Sequence, residues 1–169
     1  KYKKLDGRFL FVGPGYNLRP TDVQAAIAGN QFKRLNKFIK IRNTNREKLI
    51  KTFVSHKNWN NQFYFIKPAK TIKASWFGLP ILINNKNYKK KVLFLKYLSK
   101  KGIENRPIIS GNFLNQPALK QLNLKQKAEQ FKNAQLIEKQ GFFIGLHTKL
   151  MSQKEANFIV STFLNFKIF

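Results

Sequence analysis

Between Leu35 and Phe53 apolar residues return at helical spacing. Leu35, Phe38, Ile39, Leu49, Ile50 and Phe53 share one face, with Arg42 and Arg46 between them, which predicts one long amphipathic helix ending near Phe53. Upstream, Thr21 followed by Gln24 has the spacing of a reciprocal capping box and predicts a helix start. The turns that follow, "DVQAAIAG", are rich in small residues that allow another element to approach closely, and Gly29 and Asn30 weaken the helix. "NWNNQ" predicts a turn. "FYFIKP" and "GLPILI" are short and β-prone and predict strands. Asn87 is placed to cap a helix whose buried stripe is Tyr88, Val92, Leu95 and Leu98, with Gly102 at its C-terminal stop. "IENRPII" predicts a strand that Pro107 confines to an edge or an end. Residues 79–109 thus form a strand, helix, strand unit suited to a two-layer α/β domain. Beyond the loop "SGNFLNQP" come short helical pieces and a last strand, "GFFIGL". Ser152 with Glu155 supplies a second capping box before a final helix whose apolar face is Ala156, Ile159, Val160 and Phe163. No internal repeat interrupts this order.

The chain has 169 residues, 43% of them hydrophobic, enough for one domain with a real core. No apolar run reaches the roughly 18 residues a membrane span needs, and no signal-peptide pattern opens the chain, so a cytoplasmic location without a membrane partner is expected. Cysteine is absent, which excludes disulfides, thiolate metal sites and cysteine nucleophiles within these residues. His56 and His147 are too far apart in sequence to suggest a metal pair on one helix, and no metal site is expected. The first residue is Lys1 and motif-rich sequence begins almost at once, so the chain is expected to be a piece of a longer one.

The formal net charge of +26 points to a polyanion partner, and a lysine-rich nucleic-acid-binding module is the rival functional class. That class needs positive charge gathered on one face with exposed aromatics interleaved. Here 27 lysines outnumber 6 arginines and are scattered along the whole chain, whereas base reading and bidentate phosphate grip favour the arginine fork. A solvated surface is therefore the favoured reading, and no specific nucleic acid is expected. Among the arginines, Arg19 and Arg106 fall in loop-like, motif-rich sequence.

The stretch "FVGPGYNLRPTDVQAAIAG" carries the candidate chemistry. A glycine-flanked turn exposes main-chain N–H groups, an asparagine amide donates to a phosphate without adding charge, and a guanidinium forks onto one. On the residues alone an ordinary turn is favoured, with Tyr16 packed and Arg19 on solvent. However, "GYNLRPTDVQAAIAGNQFKRLNKFIKIRNTN", "ASWFGLPILI", "KGIENRPIISGNFLNQPALK" and "GFFIGLHTKLMSQKEANFIV" together resemble, in order and across essentially the whole chain, the DegT/StrS family of pyridoxal-phosphate-dependent nucleotide-sugar enzymes. Their wording is closest to the branch of 4-keto-6-deoxyhexose 3-dehydratases and lipopolysaccharide-sugar aminotransferases.

The resemblance implies a fold-type I aminotransferase of which this chain is the C-terminal part. Residues 1–34 would end the large cofactor-binding domain and residues 35–169 would form the small C-terminal α/β domain behind a long helix. It implies pyridoxal 5'-phosphate or pyridoxamine 5'-phosphate as cofactor, a homodimer, and a nucleotide-linked 4-keto-6-deoxysugar as substrate for transamination or C-3 dehydration. The family's cofactor lysine, or the histidine that replaces it, and the aspartate at the pyridinium nitrogen precede the "GYN" motif and have no counterpart here. No catalytic residue is therefore expected within the chain, and the chain alone is expected to be inactive and to hold no cofactor. Asn17 would reach the cofactor phosphate held by the partner subunit. Tyr16 and Arg19 would lie by the nucleotide sugar. The segment from Arg106 to Pro117 would form one wall of the sugar site, with Arg106, Asn112 and Gln116 as contacts, although polar residues at a strand end are often simply solvated. Thr21, Asp22 and Gln24 are assigned to capping. Trp76 and Phe77 are expected to pack in the core, with base stacking as the other reading, and His147 to serve at the surface or in a cap.

Overall fold

The computed structural model describes residues 6–16, 21–84, 86–122 and 124–166. Six helices and four strands follow one another as α1 (Asp22–Phe32), α2 (Leu35–Val54), β1 (Phe63–Phe65), β2 (Gly78–Ile83), α3 (Lys91–Lys100), β3 (Asn105–Arg106), α4 (Pro117–Lys120), α5 (Lys132–Gln140), β4 (Gly141–Gly145) and α6 (Gln153–Leu164). The sheet has the order β1-β2-β4-β3 with every neighbouring pair antiparallel. Since β2 and β3 both oppose β4, they run parallel to each other, and α3 is the crossover between them. The strand, helix, strand unit expected from the sequence is present, with a later strand inserted at its centre.

Alternation within β2 sends Leu79, Ile81 and Ile83 to one face of the sheet, where they meet Phe142 and Ile144 of β4 and Phe63 and Phe65 of β1. Leu49 and Phe53 of α2, Phe94 and Leu98 of α3, and Ala156, Val160 and Phe163 of α6 close over that face. Phe163 lies 5.2 Å from Phe53, 5.5 Å from Phe63 and 5.3 Å from Phe94, all edge to face. That geometry sets positive ring edges against negative faces and adds to the burial itself.

Helix ends follow local chemistry where it is available. At α6, Glu155 N donates to Ser152 Oγ at 3.2 Å and Ser152 N donates to Glu155 Oε2 at 2.6 Å, the reciprocal box expected there. Gly102 takes φ +78 after α3, and Ile103 N closes onto Leu98 O.

Four local expectations need correction. Thr21 is the N-cap of α1 but its side chain makes no capping bond; its carbonyl receives the Gln24 and Ala25 amides instead. Gly29 and Asn30 lie inside α1, and the break falls at residues 33 and 34. The α3 stripe is Phe94 and Leu98, with Leu95 and Tyr97 partly buried and Val92 exposed. Residues Lys86–Lys90 wind as a 3-10 turn, three residues per turn rather than 3.6, so the phase counted from Asn87 is rotated before the α-helix begins. Finally, β3 pairs over two residues only, because Pro107 offers no N–H and Ile109 sits at φ +44, outside the strand region. No residue of α1 is buried, so the apolar side chains of the small-residue helix, Val23, Ile27 and Phe32, face outward.

Candidate functional site

Two segments that the sequence singles out lie side by side. Phe11 N donates to Gln116 Oε1 at 3.2 Å, Ala118 N donates to Phe11 O at 2.7 Å, and Gln121 Nε2 donates to Val12 O at 2.8 Å. The Phe11 and Phe113 rings are 5.5 Å apart. Residues 11 and 12 are thus strapped to the loop between β3 and α4, immediately before the turn from Gly13 to Tyr16. Tyr16 is 94% exposed, not packed, and a Cβ at Gly15 would meet nothing within 4 Å. The main chain of this turn is open to solvent. Asn17 and Arg19 lie outside the described residues.

Arg106 ends β3 at the sheet edge and stands half in solvent, its guanidinium donating to Glu104 Oε1 at 2.7 and 3.0 Å. Asn112 and Gln116 are buried, and the chain itself uses their polar atoms. Asn112 Nδ2 donates to Ala128 O at 2.8 Å and Asn112 Oδ1 accepts from Leu114 N at 3.2 Å, while Gln116 holds Phe11. The structure therefore gives these two residues the task of shaping the loop.

Two concavities lie near the edge of the sheet at β3. A groove of about 950 Å³ is lined by Arg106 together with Phe77, Phe143, Leu150, Lys154 and Phe158. A second, of about 670 Å³, lies between residues 6–9 and α3 and takes in Arg8, Lys91, Lys96, Ser110, Gln116 and Glu138. Within it the Arg8 guanidinium, hydrogen-bonded to Asp6, holds that carboxyl below the usual aspartate range. Burial pushes the Lys91 ammonium below the usual lysine value, against the pull of the Glu138 and Asp6 carboxylates. Lys91 Nζ donates to Glu138 O at 2.6 Å and Gly141 O at 3.3 Å, a cation closing the C-terminal end of α5.

Trp76 packs against the core beneath the Arg46 guanidinium, whose carbon lies 4.6 Å from the ring centre. Phe77 departs from the core placement expected of it. It is exposed on the groove, edge-on to Phe143 at 5.3 Å; it precedes β2, so the inward alternation of Leu79, Ile81 and Ile83 does not extend to it. His147 is exposed and its Nδ1 accepts from Lys149 N at 3.0 Å, a turn cap. Asn45 was not singled out by the sequence. Fully buried on α2, it donates to His147 O and Lys149 O and accepts from Met151 N, and so pins the loop between β4 and α6. Glu138 was also missed, although acids are rare enough here, seven in all, for each to be informative. Among the described residues no cluster of histidine and carboxylate side chains could hold a metal ion, and no helix is long and apolar enough to cross a membrane.

Comparison with known proteins agrees with the resemblance read from the sequence. Residues 2–163 match the DegT/DnrJ/EryC1/StrS aminotransferase family. A GDP-4-keto-6-deoxy-D-mannose 3-dehydratase of Escherichia coli O55:H7 is 35% identical over 140 residues, covering 82% of this chain and 34% of that protein. The lipopolysaccharide biosynthesis protein RfbH of Salmonella typhimurium is 29% identical over 163 residues, covering 95% and 36%. A solved structure of E. coli GDP-4-keto-6-deoxy-D-mannose-3-dehydratase with bound hydrated PLP superposes with a TM-score of 0.63 at 29% identity, over 92% of this chain and 38% of that one. The chain spans about a third of the length of the curated relatives it matches.

Proposed function

The chain belongs to the DegT/DnrJ/EryC1/StrS aminotransferase family, and from that premise we propose that it is the C-terminal part of a pyridoxal-phosphate-dependent enzyme acting on a nucleotide-linked 4-keto-6-deoxysugar. The reaction is transamination or C-3 dehydration in the making of lipopolysaccharide sugars, carried out in the cytoplasm by a homodimer. Residues 1–34 close the cofactor domain and residues 35–169 form the small domain. These likenesses lend no support to a nucleic-acid module.

The observation that carries this reading is the strap. Through Phe11, Gln116 and Ala118 the residues just before Gly13–Tyr16 are tied to the segment that begins at Arg106, which supports reading the two as parts of one site. The residues present fit one part of the cofactor, its phosphate, because the turn's main chain is unobstructed and the next residue is Asn17. When bound, the cofactor supplies an electron sink for carbanion chemistry on the sugar. This chain's residues would bind and orient: Asn17 would donate its amide to the phosphate in the partner subunit's site, Arg19 and Tyr16 would hold the nucleotide sugar, and Arg106 would meet a carbonyl or phosphate oxygen from the groove rim.

The test uses the full-length polypeptide. Asn17→Ala should retain pyridoxal phosphate less well by roughly 1.5 to 3 kcal/mol, the worth of a hydrogen bond to a charged group, and Arg19→Ala should raise KM for the nucleotide sugar. Mixing Asn17→Ala chains with chains lacking the cofactor lysine or its histidine counterpart should restore activity, because one site of the mixed dimer then carries both defects and the other neither. Verified mixed dimers that stay inactive would exclude a role for Asn17 across the subunit boundary.

A further inference from the structure

One carboxylate on α5 grips the loop that follows β3. Glu138 Oε2 accepts from Asn112 N at 2.9 Å and from Asn115 Nδ2 at 2.8 Å, joining residues 26 and 23 positions away. Gly111 sits at φ +61 with its main chain so close to α5 that a Cβ would fall 2.5 Å from Glu138 Cβ. The residue's own carbonyl is held in turn by Lys91 Nζ. One position beyond Asn115, Gln116 carries the bond to Phe11 and so to the turn at Gly13–Tyr16. A line of hydrogen bonds and main-chain links therefore runs from α3 through Glu138 and the loop to the strap.

We propose that Glu138 is a positioning residue for the nucleotide-sugar site: its carboxylate sets the position of residues 110–116 and, through Gln116, of the phosphate-gripping turn. The inference rests on the function proposed above and adds a residue that touches neither substrate nor cofactor. A carboxylate suits the task because a charged acceptor strengthens both bonds, and an interface that accepts two donors at one oxygen resists sliding. Glu138→Ala removes the acceptor. Glu138→Gln keeps a side-chain carbonyl oxygen in the same place and should largely preserve the grip.

The experiment compares these two variants, and Asn115→Ala, in the full-length polypeptide by amide hydrogen exchange and steady-state kinetics. In Glu138→Ala the Asn112 amide should exchange on the order of tenfold faster or more, and KM for the nucleotide sugar should rise by about tenfold with kcat little changed, since what is lost is uniform binding. Glu138→Gln should lie near wild type, and Asn115→Ala, which leaves the bond to Asn112 N, should lie between. Unchanged exchange at residue 112 in Glu138→Ala overturns the grip. Faster exchange with unchanged KM overturns the positioning role while leaving the proposed function standing. A wild-type protein that turns over no nucleotide-linked 4-keto-6-deoxysugar overturns the function and the substrate role together, and the exchange measurement still decides the grip. Should Glu138→Ala fail to fold, the same two readouts on Asn115→Ala decide: no change in either overturns the proposal.

Discussion

Asn45 shows how one polar side chain in the interior organises its surroundings. Its amide serves two carbonyls and a main-chain N–H of the loop between β4 and α6, and all three groups lose that partner when the side chain is removed. Asn45→Ala should therefore lower stability by on the order of 3 kcal/mol, because buried groups left without partners cost about 1 to 3 kcal/mol each and part of the loop can rehydrate. A urea midpoint that moves by less than the equivalent of about 1 kcal/mol would mean that solvent already serves those groups. Arg106 behaves differently. Its partner among the described residues, Glu104, is itself exposed, and such surface pairs contribute little.

At the scale of elements, the N-terminus of α6 ties stability to pH. The Ser152 hydroxyl and amide both donate to the Glu155 carboxylate and hold its pKa below the ordinary 4.5. A depressed acid stabilises the fold when ionised, so its contribution is present above the unfolded value and is lost as pH falls through the lower folded value. Wild type and Glu155→Gln should accordingly differ most in thermal midpoint near neutral pH and converge as pH falls below the ordinary glutamate value through the lower folded one; a constant difference across that range would show that the box works without the charge. This element was legible in the sequence because both of its halves lie within four residues. So were α2, β1, β2 and the apolar face of α6, each set by its own periodicity. The phase of α3 was not, since it depends on how tightly residues 86–90 wind. The loop after Arg106 was visible as a segment, but its internal roles were not. Gln116 finds its partner 105 residues away in Phe11, and Glu138 finds Asn112 at a distance of 26. Pairings of that span leave no local periodic trace, so the internal bonds of Asn112 and of Gln116 Oε1 were not legible in the sequence.

For the molecule as a whole, charge balance sets a direction that no single contact sets. Thirty-three basic residues face seven acidic ones, and among the described residues only two ion pairs form, both largely exposed. The folded chain concentrates that surplus and so repels itself more than the expanded chain does. Raising sodium chloride from about 0.01 M to about 0.15 M shortens the Debye length from about 30 Å to about 8 Å, and Tm should rise with it. A Tm that falls over the same interval would place the balance in attractive pairs rather than in repulsion.

The strand order β1-β2-β4-β3 also has a history in time. The innermost seam of the sheet needs β4, yet 57 residues separate the end of β2 at Ile83 from the start of β4 at Gly141. A ribosome adding roughly 5 to 20 residues per second takes about 3 to 11 s to cover that distance. During that interval β3 has emerged with no strand to pair with, and the inward side chains of β2 and α3 wait for Phe142, Ile144 and Phe163. The nascent chain therefore passes through a stage in which the apolar face of β2 and α3 is made but not yet closed by β4 and α6.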